Sequence, residues 1–254
     1  FTKDMEEVCC DKEILLFAVP SPFVRSTARK AAPFVSDGQI IVDVAKGIEA
    51  DTLYTMTQII GQEIGNPAVK LVALSGPTHA EEVAKDLPTT IVSACEDKAA
   101  AMQVQEVFSN TCMRVYTNED VLGVELCGAM KNVMALGAGI AVGYGCGDNT
   151  KAALITRGMT EITRLGIAMG CDTRTFYGLA GIGDLIVTAT SVHSRNNRCG
   201  MLLGQGVPTE EAIRQVGMVV EGINALPAAM RLAEQYQVEM PIVSAVNAVV
   251  NGTM

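Results

Sequence analysis

Tryptophan is absent from this chain, and aromatic residues make up only 4% of its 254 positions. The core must therefore be built from Ala, Val, Ile, Leu and Met, with 24 glycines permitting close approach of backbones. Charge is also sparse, at 19% of residues against 49% hydrophobic, which excludes disorder as the main state. Basic residues are in deficit, 19 against 28 acidic, giving a net charge of -9. Such a chain is a poor generic partner for DNA, RNA or an anionic membrane.

Long hydrophobic runs are missing too. The longest uncharged apolar stretch, 132–146, is broken by glycines and falls short of the roughly 18–20 residues of a membrane span. The first residues, Phe1-Thr2-Lys3-Asp4-Met5-Glu6-Glu7, are acidic, so no secretory signal is expected. Only two histidines exist, and none of the eight cysteines forms C-x-x-C, which argues against a zinc site. A disulfide framework suits small secreted chains. The expectation is buried, reduced thiols in a cytoplasmic protein.

What is present divides the chain in two. Up to residue 117, short apolar runs alternate with helical patterns. Ile14–Val19 is a continuous apolar run that stops at Pro20, as expected of a strand buried on both faces. Further strands are predicted over 39–45, 70–74, 89–94 and 113–117, with helices over 22–35, 51–64 and 97–110. Thr78-x-x-Glu81 reads as a capping box for a short helix ending near Lys85. This rhythm predicts an open, largely parallel sheet. Beyond Asn118 the pattern is helical almost throughout: 119–142, 148–169, 195–204, 209–216, 222–236 and 241–251. Asp148 and Thr209 are expected N-caps, and Pro241 suits a first turn. The fold class is thus α/β followed by all-α, with domains 1–117 and 118–254.

A doubly wound, Rossmann-type sheet normally opens with a strand, a G-x-G-x-x-G turn and a helix. Nothing before Ile14 supplies that turn, so the first part of the sheet is expected to lie outside this chain. Gly137-Ala-Gly139-Ile-Ala-Val-Gly143 imitates it at the wrong spacing and inside a helical pattern, where close helix packing is the plainer account.

Four places could carry chemistry. Lys131 is the lone charge in a long apolar helix after Glu125, and burial there would lower its pKa toward neutrality. A lysine snorkelling to the surface, or paired with an acid, is an equal alternative. In Gly181-Ile-Gly183-Asp184, Asp184 would share a helical face with Thr188. Between Asp184 and Glu210 there is no acid, yet His193, Arg195 and Arg198 lie there, and Ser194 is a good N-cap. Free N–H groups and a guanidinium at that helix start suit a phosphate. Lys46, and Gly76 to Ala80, follow predicted strands, on the side of an α/β sheet where ligands collect.

With these residues in view, the chain resembles the NAD(P)-dependent glycerol-3-phosphate dehydrogenases of the soluble, bacterial biosynthetic type. The resemblance is carried, in order, by Ala18-Val-Pro-Ser21, Ala45-Lys-Gly-Ile-Glu49, Ser75-Gly-Pro-Thr-His-Ala80, Gly128-Ala-Met-Lys-Asn-Val133, the run 147–157, Ala180-Gly-Ile-Gly-Asp-Leu185, Ser194-Arg-Asn196 and Val219-Val-Glu-Gly222. It implies that Lys131 is the catalytic acid/base. It places Lys46, Gly76, Thr78, Lys131, Asp184, Ser194, Arg195 and Asn196 at the substrate. It places Phe23, Lys46, Ala80, Arg195, Val219 and Glu221 near the dinucleotide. The implied reaction is hydride transfer between NADH or NADPH and the dihydroxyacetone phosphate/glycerol 3-phosphate pair, with no metal, supplying glycerol 3-phosphate for phospholipid synthesis. The resemblance further implies a cytoplasmic protein without nucleic-acid partner or membrane span, and admits a homodimer. Two readings compete at this stage: a sibling lysine-based hydroxy-acid or sugar-acid dehydrogenase, and a non-catalytic binding module derived from the enzyme.

Overall fold

The structure is a computed structural model that describes residues 1–254. A short helix α1 (Met5–Cys9) precedes strand β1 (Ile14–Phe17). Then come α2 (Val24–Ala31), β2 (Ile40–Asp43), α3 (Met56–Ile64), β3 (Lys70–Ser75), α4 (Ala80–Val83), β4 (Thr89–Ala94), α5 (Lys98–Phe108) and β5 (Met113–Asn118). Helices follow to the end: α6 (Val121–Gly143), α7 (Asp148–Ala168), α8 (Thr173–Phe176), α9 (Asp184–Thr190), α10 (Arg195–Gly204), α11 (Thr209–Val216), α12 (Glu221–Gln235) and α13 (Pro241–Val250). A π-helical turn, Leu179–Gly183, leads into α9.

The strands lie in the order β1-β2-β3-β4-β5. The pairs β1/β2, β2/β3 and β4/β5 are parallel, whereas β3/β4 is antiparallel. The link between β3 and β4 holds only the four-residue α4, too short for the crossover helix that a parallel pair needs. Alternation along the strands feeds two apolar layers. Leu15, Phe17 and Ile41 pack with Val24, Ala28, Ile59 and Ile60 on one face. Ile40, Val42, Val72 and Leu74 pack with Ala100, Ala101 and Val104 on the other. All four β2 residues are buried, as a strand covered on both faces should be.

Several local expectations change. Thr78 does not cap a helix: α4 begins at Ala80 with His79 at its N-cap, and the Thr78 hydroxyl donates back to Gly76 O at 3.2 Å. Gly147 and Pro208, not Asp148 and Thr209, hold the N-cap positions of α7 and α11. The capping box that does form is Thr55 with Gln58, at the start of α3. Four cysteines are buried, but Cys10, Cys112, Cys146 and Cys171 are half-exposed; all eight are free. Helices α1 and α8 have no counterpart in the sequence pattern, and α9 has one only in the Asp184/Thr188 spacing.

Helix α6 organises the second half. At 23 residues it is long and apolar enough to cross a bilayer, yet every residue from Gly123 to Gly139 is buried inside the protein. Glycines set its closest contact. A Cβ on Gly139 would lie 2.1 Å from Asn197 O, and one on Gly143 would lie 2.1 Å from Met201 O. From the other side, a Cβ on Gly200 would lie 2.1 Å from Leu136 O, and one on Gly204 2.2 Å from Ile140 O. The imitation glycine motif is thus a seam in which α6 and α10 touch backbone to backbone.

Two buried acids lie where α6 meets the sheet. Glu125 accepts from Thr55 Oγ1 at 2.7 Å, Thr57 N–H at 2.8 Å and Thr57 Oγ1 at 2.5 Å, at the positive start of α3. Burial raises its pKa, while the threonine hydrogen bonds oppose the rise. Asp43, at the end of β2, is buried with neither carboxylate oxygen hydrogen-bonded. Burial first, and then the Glu125 charge, push its carboxyl well above the usual range.

Two outcomes test this packing. Gly139→Ala and Gly200→Ala should each lower stability by at least about 1–3 kcal/mol, as overpacking against backbone does. Gly147→Ala, with open space around its Cβ position, should cost less, about 0.5–1 kcal/mol for the loss of a favoured N-cap residue, measured by urea unfolding. The fold holds the Asp43 proton that an unfolded chain releases near pH ~3.9, so this group lowers stability as pH rises from there. Asp43→Asn should therefore stabilise the protein by roughly 1–3 kcal/mol at pH 8. The gain should shrink toward pH 4 in the same assay.

Candidate active site

The carboxyl ends of β1, β2 and β3 face the starts of α9, α10 and α12 across a cleft. Its lining includes Ala18 to Ser21, Val44 to Lys46, Thr78 to Glu81, Lys131, Asn132, Thr188, His193 to Asn196, Val219 and Glu221. At its base lies a three-charge centre. Lys46, just beyond β2, donates to Asp184 Oδ2 at 2.7 Å and to Gly76 O at 3.0 Å. Lys131, in the middle of α6, donates to Asp184 Oδ1 and, at 2.8 Å, to Thr188 Oγ1. The Thr188 hydroxyl donates to Asp184 O at 2.7 Å, which leaves its lone pair facing Lys131.

Local sequence explains this placement. Asp184 is the first residue of α9, delivered by the π-helical turn. That turn passes so close to α8 that a Cβ on Gly181 would lie 2.1 Å from Phe176 O. Four residues later on the same helix, Thr188 shares the Asp184 face, as the spacing predicted.

Lys131 and Asp184 are only 6% and 1% exposed, so their charges are strongly felt. Burial, helped by the neighbouring Lys46 ammonium, brings Lys131 down to about 7 against the opposing pull of Asp184. Burial alone would raise Asp184, but the ammonium groups of Lys46 and Lys131 hold it below the ordinary carboxylate range. The structure takes part of each reading left open for Lys131: it is buried with a lowered pKa, as the first reading had it, and paired with an acid, as the alternative had it, while snorkelling to the surface falls away.

A second cluster lies where α10 begins. Ser194 caps this helix, accepting from Asn197 N–H at 3.2 Å. The N–H groups of Arg195 and Asn196 have no partner within the protein. Arg195 and Arg198 are exposed on the cleft side. Asn196 is buried and fixes this helix start: its Nδ2 donates to Asn132 Oδ1 at 2.9 Å, and its Oδ1 accepts from Gly222 N–H at 2.8 Å. Glu221, at the start of α12, accepts from Ser21 Oγ at 2.7 Å across the cleft.

The structure brings together Lys46, Thr78, Ala80, Lys131, Ser194, Arg195, Asn196, Val219 and Glu221 along one cleft, with Asp184 and Gly76 bonded to Lys46 beneath it. Phe23 stays outside the lining, 55% exposed on the turn after β1. Sequence reasoning missed Asn132, whose only signal was its place beside Lys131. It also missed Ser21 as the partner of Glu221.

Comparison with known proteins agrees with this geometry. The family model described as the NAD-dependent glycerol-3-phosphate dehydrogenase N-terminus matches residues 1–101, and that of its C-terminus matches residues 120–254. A glycerol-3-phosphate dehydrogenase [NAD(P)+] of Lactobacillus delbrueckii subsp. bulgaricus is 66% identical over 99% of this chain and 76% of its own length. The Bacillus subtilis protein of that name is 49% identical over 98% of this chain and 72% of its own. The crystal structure of glycerol-3-phosphate dehydrogenase from Coxiella burnetii superimposes with a TM-score of 0.90 at 35% identity, covering 95% of this chain and 74% of that one. A buried lysine held by an aspartate, an arginine at an open helix start and both family models thus converge: the chain belongs to the NAD-dependent glycerol-3-phosphate dehydrogenase family.

Proposed function

We propose that this cleft interconverts dihydroxyacetone phosphate and sn-glycerol 3-phosphate with NAD(P)H, with Lys131 as the catalytic acid/base. The activity follows the family, and the carrying observation for the residue roles is the Lys46–Asp184–Lys131 centre below an open, arginine-bearing helix start. Residues 1–117 serve as the dinucleotide side and 118–254 as the substrate side of the cleft. The phosphate-type site at 194–196 favours this substrate over a simple hydroxy acid. A cytoplasmic location is supported by eight cysteines of which none is paired.

The residues present fit a nicotinamide dinucleotide. Small and apolar groups, Ala18, Val19, Pro20, Val44 and Ala45, line the cleft beyond β1 and β2, where open α/β sheets take such ligands. The backbone there is drawn tight, since a Cβ on Gly47 would lie 2.8 Å from Ser21 Cβ. Ser21, Lys46, Ala80, Arg195, Val219 and Glu221 would hold the cofactor. When bound, it supplies the hydride that the chain's own side chains cannot.

The chain's residues do the rest. An ammonium has three N–H donors. Asp184 and Thr188 take two from Lys131, leaving one for the substrate oxygen at C2. That donor stabilises developing negative charge on the ketone oxygen and then delivers its proton. In the reverse direction the neutral amine accepts the hydroxyl proton. Arg195 and the free N–H groups of α10 hold the phosphate, so binding at that end orients the ketone at the other. Lys46 holds Asp184 in place and adds positive charge toward the substrate. Gly76 and Thr78 shape the loop that Lys46 reaches.

These roles predict kinetics. Lys131→Ala should lower kcat by about 10²–10⁴-fold, with a much smaller change in KM. With Lys131 at about 7, reduction needs the ammonium and should decline as pH rises through that value. Oxidation needs the free amine and should increase through the same value. Asp184→Asn removes a stabiliser of the ammonium, so both inflections should move to lower pH. Profiles of kcat in both directions check the sign, and inflections that ignore Asp184 would remove the role given to it. Arg195→Ala should raise the KM for dihydroxyacetone phosphate about 10- to 150-fold, the worth of a charge-assisted contact of roughly 1.5–3 kcal/mol. Unphosphorylated dihydroxyacetone should barely respond, and Arg195→Lys should recover part of the loss. Equal losses on both substrates would move the phosphate site elsewhere.

A further inference from the structure

The chain contains only two histidines, His79 and His193, far apart in sequence. The fold brings them together at the mouth of one cleft, with ring centroids 6.2 Å apart and planes at 63°. They come from opposite walls. His79 sits in the loop between β3 and α4, next to Thr78. His193 immediately precedes Ser194, the cap of α10.

Ordinary structural duties hold the His79 ring by one long contact and the His193 ring by none. His79 occupies the N-cap position of α4, but its side chain makes no capping bond. Its Nε2 lies 3.4 Å from Val187 O, so it already reaches across to α9, the helix of Asp184 and Thr188. His193 is exposed, and its one hydrogen bond is from its backbone N–H to Ser191 Oγ at 3.1 Å, leaving both ring nitrogens free. The rings meet edge to face rather than stacked, and both residues line the cleft. The free N–H groups of Arg195 and Asn196 open into the same cleft.

We propose that His79 and His193 form a two-sided clasp on the substrate phosphate, each donating an imidazole N–H to a phosphate oxygen beside Arg195. The proposal rests on the phosphate reading of the α10 start given above. A neutral imidazole carries one N–H in either tautomer. That of His193 is unengaged, whereas His79 exchanges its long 3.4 Å contact from Nε2 to Val187 O for the phosphate oxygen. The clasp has a consequence that Arg195 alone does not supply. Arg195 belongs to one wall, whereas the histidines belong to both, so a phosphate held between them ties the β3–α4 loop to α10. The pair therefore discriminates phosphorylated from unphosphorylated substrate by holding the phosphate from both walls of the cleft.

The test compares His79→Phe, His193→Phe and the double variant of the enzyme. Phe keeps the ring and removes the N–H. Each single variant should raise the KM for dihydroxyacetone phosphate by about 5- to 20-fold, the scale of one hydrogen bond to a charged acceptor. The change in kcat and in the KM for NADH should stay below about 2-fold, within the scatter of ordinary surface substitutions. The double variant should lose less than the product of the singles, because a clasp fails once either side is gone. His79→Gln and His193→Gln restore an amide N–H and should recover part of the affinity. Activity on unphosphorylated dihydroxyacetone should not track these losses. Equal losses on both substrates, or an unchanged KM for dihydroxyacetone phosphate, would overturn the clasp while leaving the functional reading intact. A wild-type enzyme that fails to reduce dihydroxyacetone phosphate would overturn both.

Discussion

One buried carboxylate, Asp184, holds ammonium groups from both walls of the cleft, and the rest of the site is arranged around it. A carboxylate 1% exposed would be costly to keep ionised by itself. Lys46 and Lys131 remove that cost and are in turn held by it, each on its own oxygen. The arrangement demands that the start of α9 meet the middle of α6 and the loop after β2 at one point. Glycines make the meeting possible. Gly181 lets the π-helical turn pass against Phe176 O, and the Gly139/Gly143 and Gly200/Gly204 seam sets α10 against α6. Sparse aromatic content and abundant glycine are thus two sides of one packing scheme, in which helices approach by their backbones.

The electrostatic result is local rather than global. The protein is acidic, at a net charge of -9, and repels anions on average. The cleft gathers Lys46, Lys131, Arg195 and Arg198 against Glu81, Glu221 and Asp184, the last occupied by two of these cations. A phosphorylated substrate therefore meets an exception to the molecule's own field only where its two ends are to be read.

Much of this was legible in the sequence. Apolar runs located all five strands, and the isolation of Lys131 on an apolar helix pointed to its burial. The acid-free window around Ser194–Asn196 marked a helix start that the structure reproduces, cap included. What escaped was pairing over distance. Lys46 and Asp184 are 138 residues apart, and no local pattern records which lysine meets which acid. The reversal between β3 and β4 was hidden because an apolar run has no direction. Asp43 went unnoticed inside a strand whose neighbours are all apolar, and its lack of partners is a property of the packed sheet. Thr78 followed by Glu81 satisfied a capping rule that the loop after Gly76 overrode by turning the hydroxyl back to that residue.

The Glu125 contact has a consequence for how the molecule comes apart. The change of pattern after Asn118 looks like a seam between independent bodies. Yet the carboxylate that satisfies the start of α3 belongs to α6, on the far side of that change. Pulling the helical half away would strand Glu125 without its three donors and leave the α3 start bare, just as Lys46 would leave Asp184. Each half therefore lends the other a buried ionisable group that neither can afford to uncover. The boundary written in the sequence is one of grammar, not of cooperativity: heat or denaturant should find a single transition, with the two halves melting as one unit.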